Sequence, residues 1–203
     1  MMEKDTAASK RTQTHNDIFM NAARLFAEKG YNRVSIREIC ESVGVGKPTL
    51  YYYFKDKETL FIELIDEARQ LGKELAHEFL HDQQNNLERL EGFLKIHVAY
   101  AERYPIFIRF FSQITFMSLP ESIEKRLKLD YDESLDILQN ILQVGQDAGE
   151  FTKDIDVKLF SLAMLAAVRY MILHDARSKE KDSHLSQKLD GLFGLWEKIL
   201  LKQ

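Results

Sequence analysis

Apolar residues recur every three or four positions through most of the chain, the spacing that places them on one face of an α-helix. In the first such segment Ile18, Ala22, Leu25 and Phe26 share one face, and Gly30 follows as a residue able to end the helix. The alternation of apolar and polar residues that is typical of a strand never continues beyond four residues. The pattern therefore predicts an all-α fold.

Two short helices separated by a tight turn are expected next. Ser35 and Glu38 form a capping box, in which the serine hydroxyl accepts a hydrogen bond from the third amide of a helix that ends at Val43. Residues 44–46, Gly-Val-Gly, form the turn. Pro48 stands in the first turn of the following helix, where its missing N–H does no harm.

Longer helices are expected in the remainder of the chain. Asp56 caps the first of them, and Pro105 separates two others because a proline disfavours helical geometry in the residue before it. The expected ranges are 56–81, 86–104, 105–117, 120–149 with a bend near Asp130, 156–177 and 185–203. We expect three regions: a flexible tail (1–13), a head of short helices (14–57, with its helix-turn-helix at about 35–54) and a larger helical body (58–203).

Composition narrows the class of protein. The 203 residues are 45% apolar and 30% charged, which is ordinary for a soluble globular protein and excludes a wholly disordered chain. Ser161 and Arg169 interrupt the most apolar stretch, so no segment is expected to provide the roughly 20 apolar residues of a membrane span. A single cysteine cannot form an internal disulfide, and the polar N-terminus does not resemble a signal peptide. These features predict a cytoplasmic protein.

Charge is distributed unevenly along the chain. Residues 1–57 contain ten Lys or Arg and seven Asp or Glu, whereas residues 58–203 contain eighteen and twenty-five. A basic head on an acidic body indicates that the head meets a polyanion.

The two short helices also present a chemically unusual surface. Their apolar residues are expected to pack together as a helix-turn-helix, whose second helix enters the major groove of DNA. Lysine and tyrosine can bind phosphates, and threonine can contact base edges or thymine methyl groups. The second helix exposes Lys47, Thr49, Tyr51 and Tyr52.

The segment at 26–61, FAEKGYNRVSIREICESVGVGKPTLYYYFKDKETLF, resembles the DNA-binding head of the TetR (tetracycline-repressor-like) family. The specific part of the resemblance is the pattern G-Y-x-x-V-S-x-x-E-I-C-x-x-V-G-V-x-K-P-T-L-Y-Y-Y-F-x-x-K-E-x-L. The resemblance implies phosphate contacts from Ser35, Tyr51 and Lys57. It also implies that another set lies at or near the bases: Arg37, Lys47, Pro48, Thr49 and Tyr52.

An aromatic block in the body has two interpretations. Most of its rings are expected to form a packed core, but interleaved polar residues are also typical of a ligand pocket. The resemblance implies a pocket for a small effector in the body of the protein. The candidate lining residues are Phe93, His97, Tyr100, Tyr104, Phe107, Phe110, Phe111 and Gln113.

The apolar residues of the last two expected helices predict contact with a partner chain. Apolar residues on the final helix alternate in steps of four and three, which is the spacing of a packing seam, and the helix before it is apolar on all sides. Burying both within one small subunit is difficult, so we expect a two-fold homodimer. The candidate interface residues are Ala163, Ala167, Leu189, Leu192, Trp196 and Ile199.

Together these features predict a DNA-binding transcriptional regulator, a repressor that a small hydrophobic effector releases from its operator. The alternative is a chromosome-associated DNA-binding protein without an effector. An enzyme is disfavoured, since the sequence offers no nucleophile, base and acid grouping and no cofactor-binding loop. His77 and His81 have a spacing that can hold a metal, but a third ligand is not evident, so we expect neither a metal nor a cofactor.

Overall fold

The computed structural model describes residues 2–83, 85–114, 118–177 and 184–201, with side chains from Thr12 onward. Throughout these ranges the regular structure is helical, which confirms the all-α prediction. The elements are α1 (Met2–Lys29), a 3₁₀ turn (Tyr31–Arg33), α2 (Ile36–Val43), α3 (Lys47–Tyr53), α4 (Lys57–Leu80), α5 (Asn86–Arg103), α6 (Pro105–Ile114), α7 (Glu121–Asp147), α8 (Val157–Arg177) and α9 (Leu185–Leu200).

Helix α1 begins much earlier than the sequence pattern suggests. It is helical from Met2, within the stretch at 1–13 that the sequence pattern predicts to be a flexible tail. The physical reason is intrinsic propensity, because this stretch is rich in Ala, Lys, Glu and Arg and contains neither glycine nor proline. A similar difference concerns α7, which runs as one helix through Asp130, where a bend was expected.

The helix-turn-helix forms as its capping residues predict. The Ser35 hydroxyl accepts a hydrogen bond from the amide of Glu38 at 3.2 Å. Gly44 ends α2 with φ 74°, a left-handed conformation that a residue with a Cβ adopts only at a cost. Leu50 of α3 is fully buried in the same apolar cluster as Ile39 of α2, and this packing holds the two helices together.

Head and body share one apolar core. The ring of Phe61 on α4 lies 4.9 Å from that of Phe26 on α1 and 4.7 Å from that of Phe110 on α6. Because the body helix α6 packs directly on α1, side-chain contacts as well as α4 connect the body to the head.

Helix α8 is long and apolar enough to cross a membrane by length and composition, with a mean hydropathy of 1.5. This corrects the expectation that no segment reaches that level, because Ser161 and Arg169 are too few to lower the average. Both polar side chains are nevertheless satisfied inside the bundle. Ser161 donates to the carbonyl of Lys158, and Arg169 pairs with Asp130 on α7. Helix α8 also packs against α6, α7 and α9, which favours a bundle helix.

Helix α9 directs its apolar seam into its own subunit. Trp196 is 6% exposed and Leu189 is 1% exposed, and both belong to the core formed with α5, α7 and α8. This corrects their assignment to the dimer interface. The spacing of the seam identified a packing face, but it did not identify which helix covers that face.

Candidate functional site

Helix α3 presents the polar and aromatic surface that the sequence predicts. Tyr51 is 50% exposed and Tyr52 is 59% exposed, while the preceding residue, Leu50, is completely buried. Lys47 and Pro48 at the start of the helix are exposed as well. Two half-exposed tyrosines beside a lysine give the helix a surface that can contact phosphates and base edges.

Helix α2 adds further polar groups. Ser35 is exposed, and its hydroxyl hydrogen can still be donated while its oxygen caps the helix. Arg37 lies outward and forms an ion pair with Glu41 at 2.7 Å, from its Nε to the carboxylate oxygen. Thr49 of α3 is half-buried. The structure thus places Arg37 at the surface of α2, with part of its charge already offset by Glu41.

Lys57 has a more internal position than a phosphate ligand requires. Its ammonium donates to the carbonyl oxygens of Tyr31 and Val34, both at 3.0 Å, and lies 4.1 Å from the centre of the Tyr31 ring. Burial lowers the pKa of Lys57. Two of its three donors therefore tie α4 to the 3₁₀ turn, and the third is what a phosphate contact could use.

The body contains a cavity of about 490 Å³ bounded by α4, α5, α6, α7 and α8. This volume falls within the range of about 300–1,000 Å³ that is typical of small-molecule sites. Most of the wall is apolar or aromatic. The lining residues are Ala68, Arg69, Gly72, Lys73, Ala76, Phe93, Ile96, His97, Tyr100, Ile108, Phe111, Ile114, Leu119, Glu124, Leu127, Asp130, Glu133, Ser134, Ile137, Arg169, Ile172 and Leu173.

The expected pocket residues divide into two groups. Phe93, His97, Tyr100 and Phe111 line the cavity. The other four expected residues lie elsewhere, which corrects their assignment. The reason is helical geometry, since neighbouring sectors of α6 meet different elements. Phe107 and Phe110 are buried in the core shared with the head, Tyr104 before the helix packs beside that core, and Gln113 is exposed.

Five of the six charged side chains in the wall form ion pairs. Arg69 on α4 binds Glu133 on α7, and Lys73 lies 3.7 Å from the same carboxylate. Arg169 on α8 donates to Asp130 on α7 at 3.2 Å. With Glu124, the wall carries three cationic and three anionic groups, so it offers no net charge to a ligand.

His97 is a titratable group in the cavity wall, and its surroundings favour the neutral form. Its Nδ1 lies 2.8 Å from the carbonyl oxygen of Phe93. Burial, with a smaller contribution from the nearby charge of Arg169, lowers the pKa of His97 to about 4. The imidazole is therefore neutral at pH 7, and since a carbonyl can only accept, Nδ1 carries the hydrogen.

Tyr100 completes the polar part of this wall. Its hydroxyl donates to the carbonyl oxygen of Ala68 on α4 at 3.1 Å, and burial raises the pKa of Tyr100. The phenol therefore stays protonated and joins α5 to α4 at the cavity.

An exposed apolar surface lies on α8 and continues onto α9. Leu159 and Tyr170 on α8 are 67% and 69% exposed, and Leu195 on α9 is also exposed. Of the expected interface residues, Ala163 is exposed here, whereas Ala167, Leu192 and Ile199 are half-buried. An apolar surface of this kind is typical of a contact with another chain.

Sequence reasoning missed the contributions of α4, α7 and α8 to the cavity. The missed polar residues include Arg69, Asp130, Glu133 and Arg169. One signal was available, because Arg169 interrupts an otherwise apolar helix and such a charge requires a buried partner. The identity of that partner, 39 positions away, depends on how α7 packs against α8.

Two family models match the chain. The model described as bacterial regulatory proteins of the tetR family matches residues 18–64. The model described as the tetracyclin repressor-like C-terminal domain matches residues 83–173. The first match covers the helix-turn-helix, and the second covers most of the helices that bound the cavity.

Three similar proteins place these matches in context. The fatty acid metabolism regulator protein of Bacillus subtilis is 30% identical over 68% of this chain and 71% of its own length. The nucleoid occlusion factor SlmA of Vibrio vulnificus is 23% identical over 86% of this chain and 90% of its own length. The crystal structure of FadR from Bacillus subtilis, solved in complex with stearoyl-CoA, is 22% identical with a TM-score of 0.77 and covers 88% of this chain and 95% of that one.

Proposed function

Since this chain belongs to the TetR family of bacterial regulatory proteins, we propose that it is a homodimeric transcriptional repressor that a small hydrophobic effector releases from its operator. The head binds DNA through α2 and α3. The effector binds in the cavity of the body.

The exposed face of α3 is the observation that carries this proposal. A solvated surface rarely presents adjacent half-exposed tyrosines, whereas a DNA-binding helix uses such side chains against the phosphate backbone. Lys47 lies at the start of the same helix, where a side chain in the major groove reaches base edges. In this arrangement Ser35 and Tyr51 position the head on the phosphates, and Arg37, Lys47, Pro48, Thr49 and Tyr52 lie at or near the bases.

Selection from a randomised duplex library with the full-length chain tests DNA binding. A selected sequence should bind more tightly than its scrambled version at the same salt concentration. If Lys47 reads a base, Lys47→Ala should reduce the difference in binding free energy between the selected and the scrambled sequence by about 1–3 kcal/mol. Lys128→Ala, an exposed change on α7, is the matched control and should leave it unchanged. Failure of the full-length chain to enrich any sequence would overturn the proposal of a sequence-specific regulator.

The cavity supports an effector that is small and mainly apolar. Its walls are dominated by aliphatic and aromatic side chains, and its volume is that of a small-molecule site. The related FadR structure is described as a complex with stearoyl-CoA, so a similar fold holds a ligand with a long apolar chain.

Helix α6 provides a route from the effector to DNA. Ile108 and Phe111 face the cavity, while Phe107 and Phe110 pack in the core shared with the head. A ligand that displaces α6 or α4 changes the separation of the two heads in a dimer, and two half-sites must be spaced by about 34–36 Å or a multiple of it. A hundredfold loss of operator affinity needs only about 2.7 kcal/mol of coupling.

The homodimer is proposed from the exposed apolar surface of α8 and α9. Leu159, Leu162, Ala163 and Tyr170 lie on that surface, and Leu195 extends it. Covering it with the same surface of a second chain gives a two-fold interface, which matches the symmetry of a palindromic operator.

A second candidate is a chromosome-associated DNA-binding protein without an effector. The similarity to a nucleoid occlusion factor supports this second candidate. The two candidates differ in how many genomic sites the protein occupies and in whether a cavity ligand changes DNA affinity. Few sites near promoters together with ligand-induced release indicate the repressor, whereas many dispersed sites that no cavity ligand affects indicate the alternative.

A further inference from the structure

The ring of His97 has two nitrogens with different roles. Nδ1 donates its hydrogen to the carbonyl oxygen of Phe93 at 2.8 Å. In a neutral imidazole the other nitrogen, Nε2, then carries a lone pair and can only accept a hydrogen bond. The geometry of a single contact thus fixes Nε2 as an acceptor.

Nε2 opens into the cavity. His97 lines the cavity wall, and no described residue forms a hydrogen bond with its Nε2. Within the described part of the chain, every side-chain nitrogen or oxygen that is fully buried has a hydrogen-bond partner. An Nε2 without a protein partner must therefore be accessible, and the space that His97 faces is the cavity.

Most other polar groups of the wall already have partners, and the Glu124 carboxylate is exposed. The Tyr100 hydroxyl donates to the carbonyl of Ala68, and the Ser134 hydroxyl donates to the carbonyl of Asp130. Arg69 is bound to Glu133 by two of its nitrogens. A ligand that reaches this wall therefore finds an acceptor at His97 without having to break an existing contact.

Charge and size restrict the ligand further. Five of the six charged groups in the wall are paired with one another and the sixth, Glu124, is exposed, so a charged ligand group buried in the cavity would find no free counter-ion. A volume of about 490 Å³ holds roughly sixteen water-sized groups at ~30 Å³ each. A neutral molecule of that size fits, with one polar group on an apolar body.

We propose that His97 selects the effector by accepting a hydrogen bond at Nε2 from a hydroxyl or amide N–H of an otherwise apolar molecule. This inference rests on the proposed function of the cavity as the effector site. It predicts a preference for alcohols and amides over ethers and hydrocarbons of the same size, because a ligand without a donor leaves Nε2 desolvated and unpaired.

Two isomeric probes test this preference: 1-decanol, which has a hydroxyl donor, and 1-methoxynonane, which has the same atoms but no donor. Calorimetric titration of the full-length protein should show about tenfold tighter binding of 1-decanol. His97→Phe removes the acceptor and should bring the two affinities to within about twofold of each other. His97→Gln places a carbonyl oxygen near the position of Nε2 and should keep most of the preference. His81→Phe, an exposed change at the end of α4, is the matched control and should behave as the wild type.

Each outcome has a distinct meaning. Equal affinity of the wild type for the two probes, or a preference that survives His97→Phe, overturns the role of His97 while leaving the cavity as a binding site. If neither probe binds, both this inference and the proposed effector site fail. If 1-decanol is preferred but leaves operator affinity unchanged, the inference stands and the regulatory proposal fails. Circular dichroism checks that His97→Phe folds, and His97→Leu replaces it if it does not.

Discussion

The guanidinium of Arg69 binds the carboxylate of Glu133 with two nitrogens, of which Nε lies 2.9 Å from Oε2. The Arg69 side chain is only 14% exposed, and this ion pair lowers the pKa of Glu133. The bond joins α4, which leads to the head, to α7 on the far side of the cavity. A ligand that fills the cavity lies against this contact, which is one of several that join the two helices.

Removing this ion pair should weaken the link between effector and DNA. Arg69→Met keeps the apolar stem but cannot bind Glu133. We expect 1-decanol to lower operator affinity by a smaller factor in this variant than in the wild type, because the contact between α4 and α7 at the cavity is lost while the pair of Arg126 and Asp66 remains. The loss in unfolding free energy should be small, about 1 kcal/mol, since Glu133 is partly exposed and becomes hydrated. Fluorescence anisotropy with labelled operator measures the factor.

The chain offers a matched control for Arg69. Arg103 binds Glu78 with two nitrogens at 2.7 and 2.8 Å, but on the exposed surface outside the cavity. Arg103→Met should leave the effector response unchanged. An equal loss of response in the two variants would mean that helix-to-helix ion pairs in general, rather than the pair at the cavity, support the coupling.

Gly72 tests whether α4 must bend. A Cβ added there would lie 4.0 Å from the nearest ring carbon of Tyr100, an ordinary contact, so Gly72→Ala fits without displacing its neighbours. Alanine should raise the free energy of unfolding by up to about 1 kcal/mol, because it favours the helix. We expect a larger change in effector response than in effector-free operator affinity, measured in the same anisotropy assay. A change confined to effector-free operator binding would contradict a flexing role.

Lys57 is expected to stabilise the head more than it holds DNA. Lys57→Met removes two hydrogen bonds from the ammonium to backbone carbonyls and should cost about 2 kcal/mol in thermal or urea unfolding. The slope of log affinity against log salt should change by less than the ~0.9 expected for a full phosphate contact. Exposed Lys55→Met is the control for charge alone. An unchanged stability with a full change in slope would restore the phosphate role that the sequence predicts.

The dimer interface is expected on the outer face of α8. Leu162→Asp should raise the dimer dissociation constant by a factor of about one hundred or more, because the partner would bury an unpaired carboxylate. Sedimentation at micromolar concentration measures this constant, and Leu129→Asp, an exposed position on α7, should sediment as the wild type. Trp196→Asp should instead lower the unfolding free energy by several kcal/mol, because Trp196 lies in the subunit core. A wild-type chain that sediments as a monomer would contradict the proposed assembly.

His97 makes stability depend on pH. Its pKa of about 4 lies below the ordinary histidine value of 6.5, so between these values the unfolded chain binds a proton that the folded chain does not. His97 has no effect on the free energy of unfolding above pH 6.5. As the pH decreases towards 4, its protonation in the unfolded chain lowers that free energy by about 3 kcal/mol in all. Urea unfolding of wild type and His97→Gln at pH 7 and pH 4.5 measures the difference. Identical pH dependence in both proteins would mean that His97 is not buried as a neutral group.

Short-range patterns determined much of this protein. The caps at Ser35 and Asp56 and the left-handed Gly44 act within three residues of themselves, so the sequence alone places the boundaries of α2, α3 and the start of α4. The same local order fixes which face of α3 is exposed, because burial of Leu50 leaves Tyr51 and Tyr52 outward. Local propensity was also sufficient to make residues 2–13 helical, although the pattern was interpreted as a tail.

Only the tertiary structure decided which residues meet across helices. Phe110 and Phe111 are neighbours in sequence, yet the first packs against Phe61 in the core shared with the head and the second faces the cavity. Trp196 lies on an apolar seam whose spacing would also suit contact with a second chain, but in the structure this face of α9 packs against the core of its own subunit. Helical periodicity specifies a face, whereas the neighbour of that face depends on how all the helices pack at once. The cavity, its paired charges and the orientation of His97 arise from that packing.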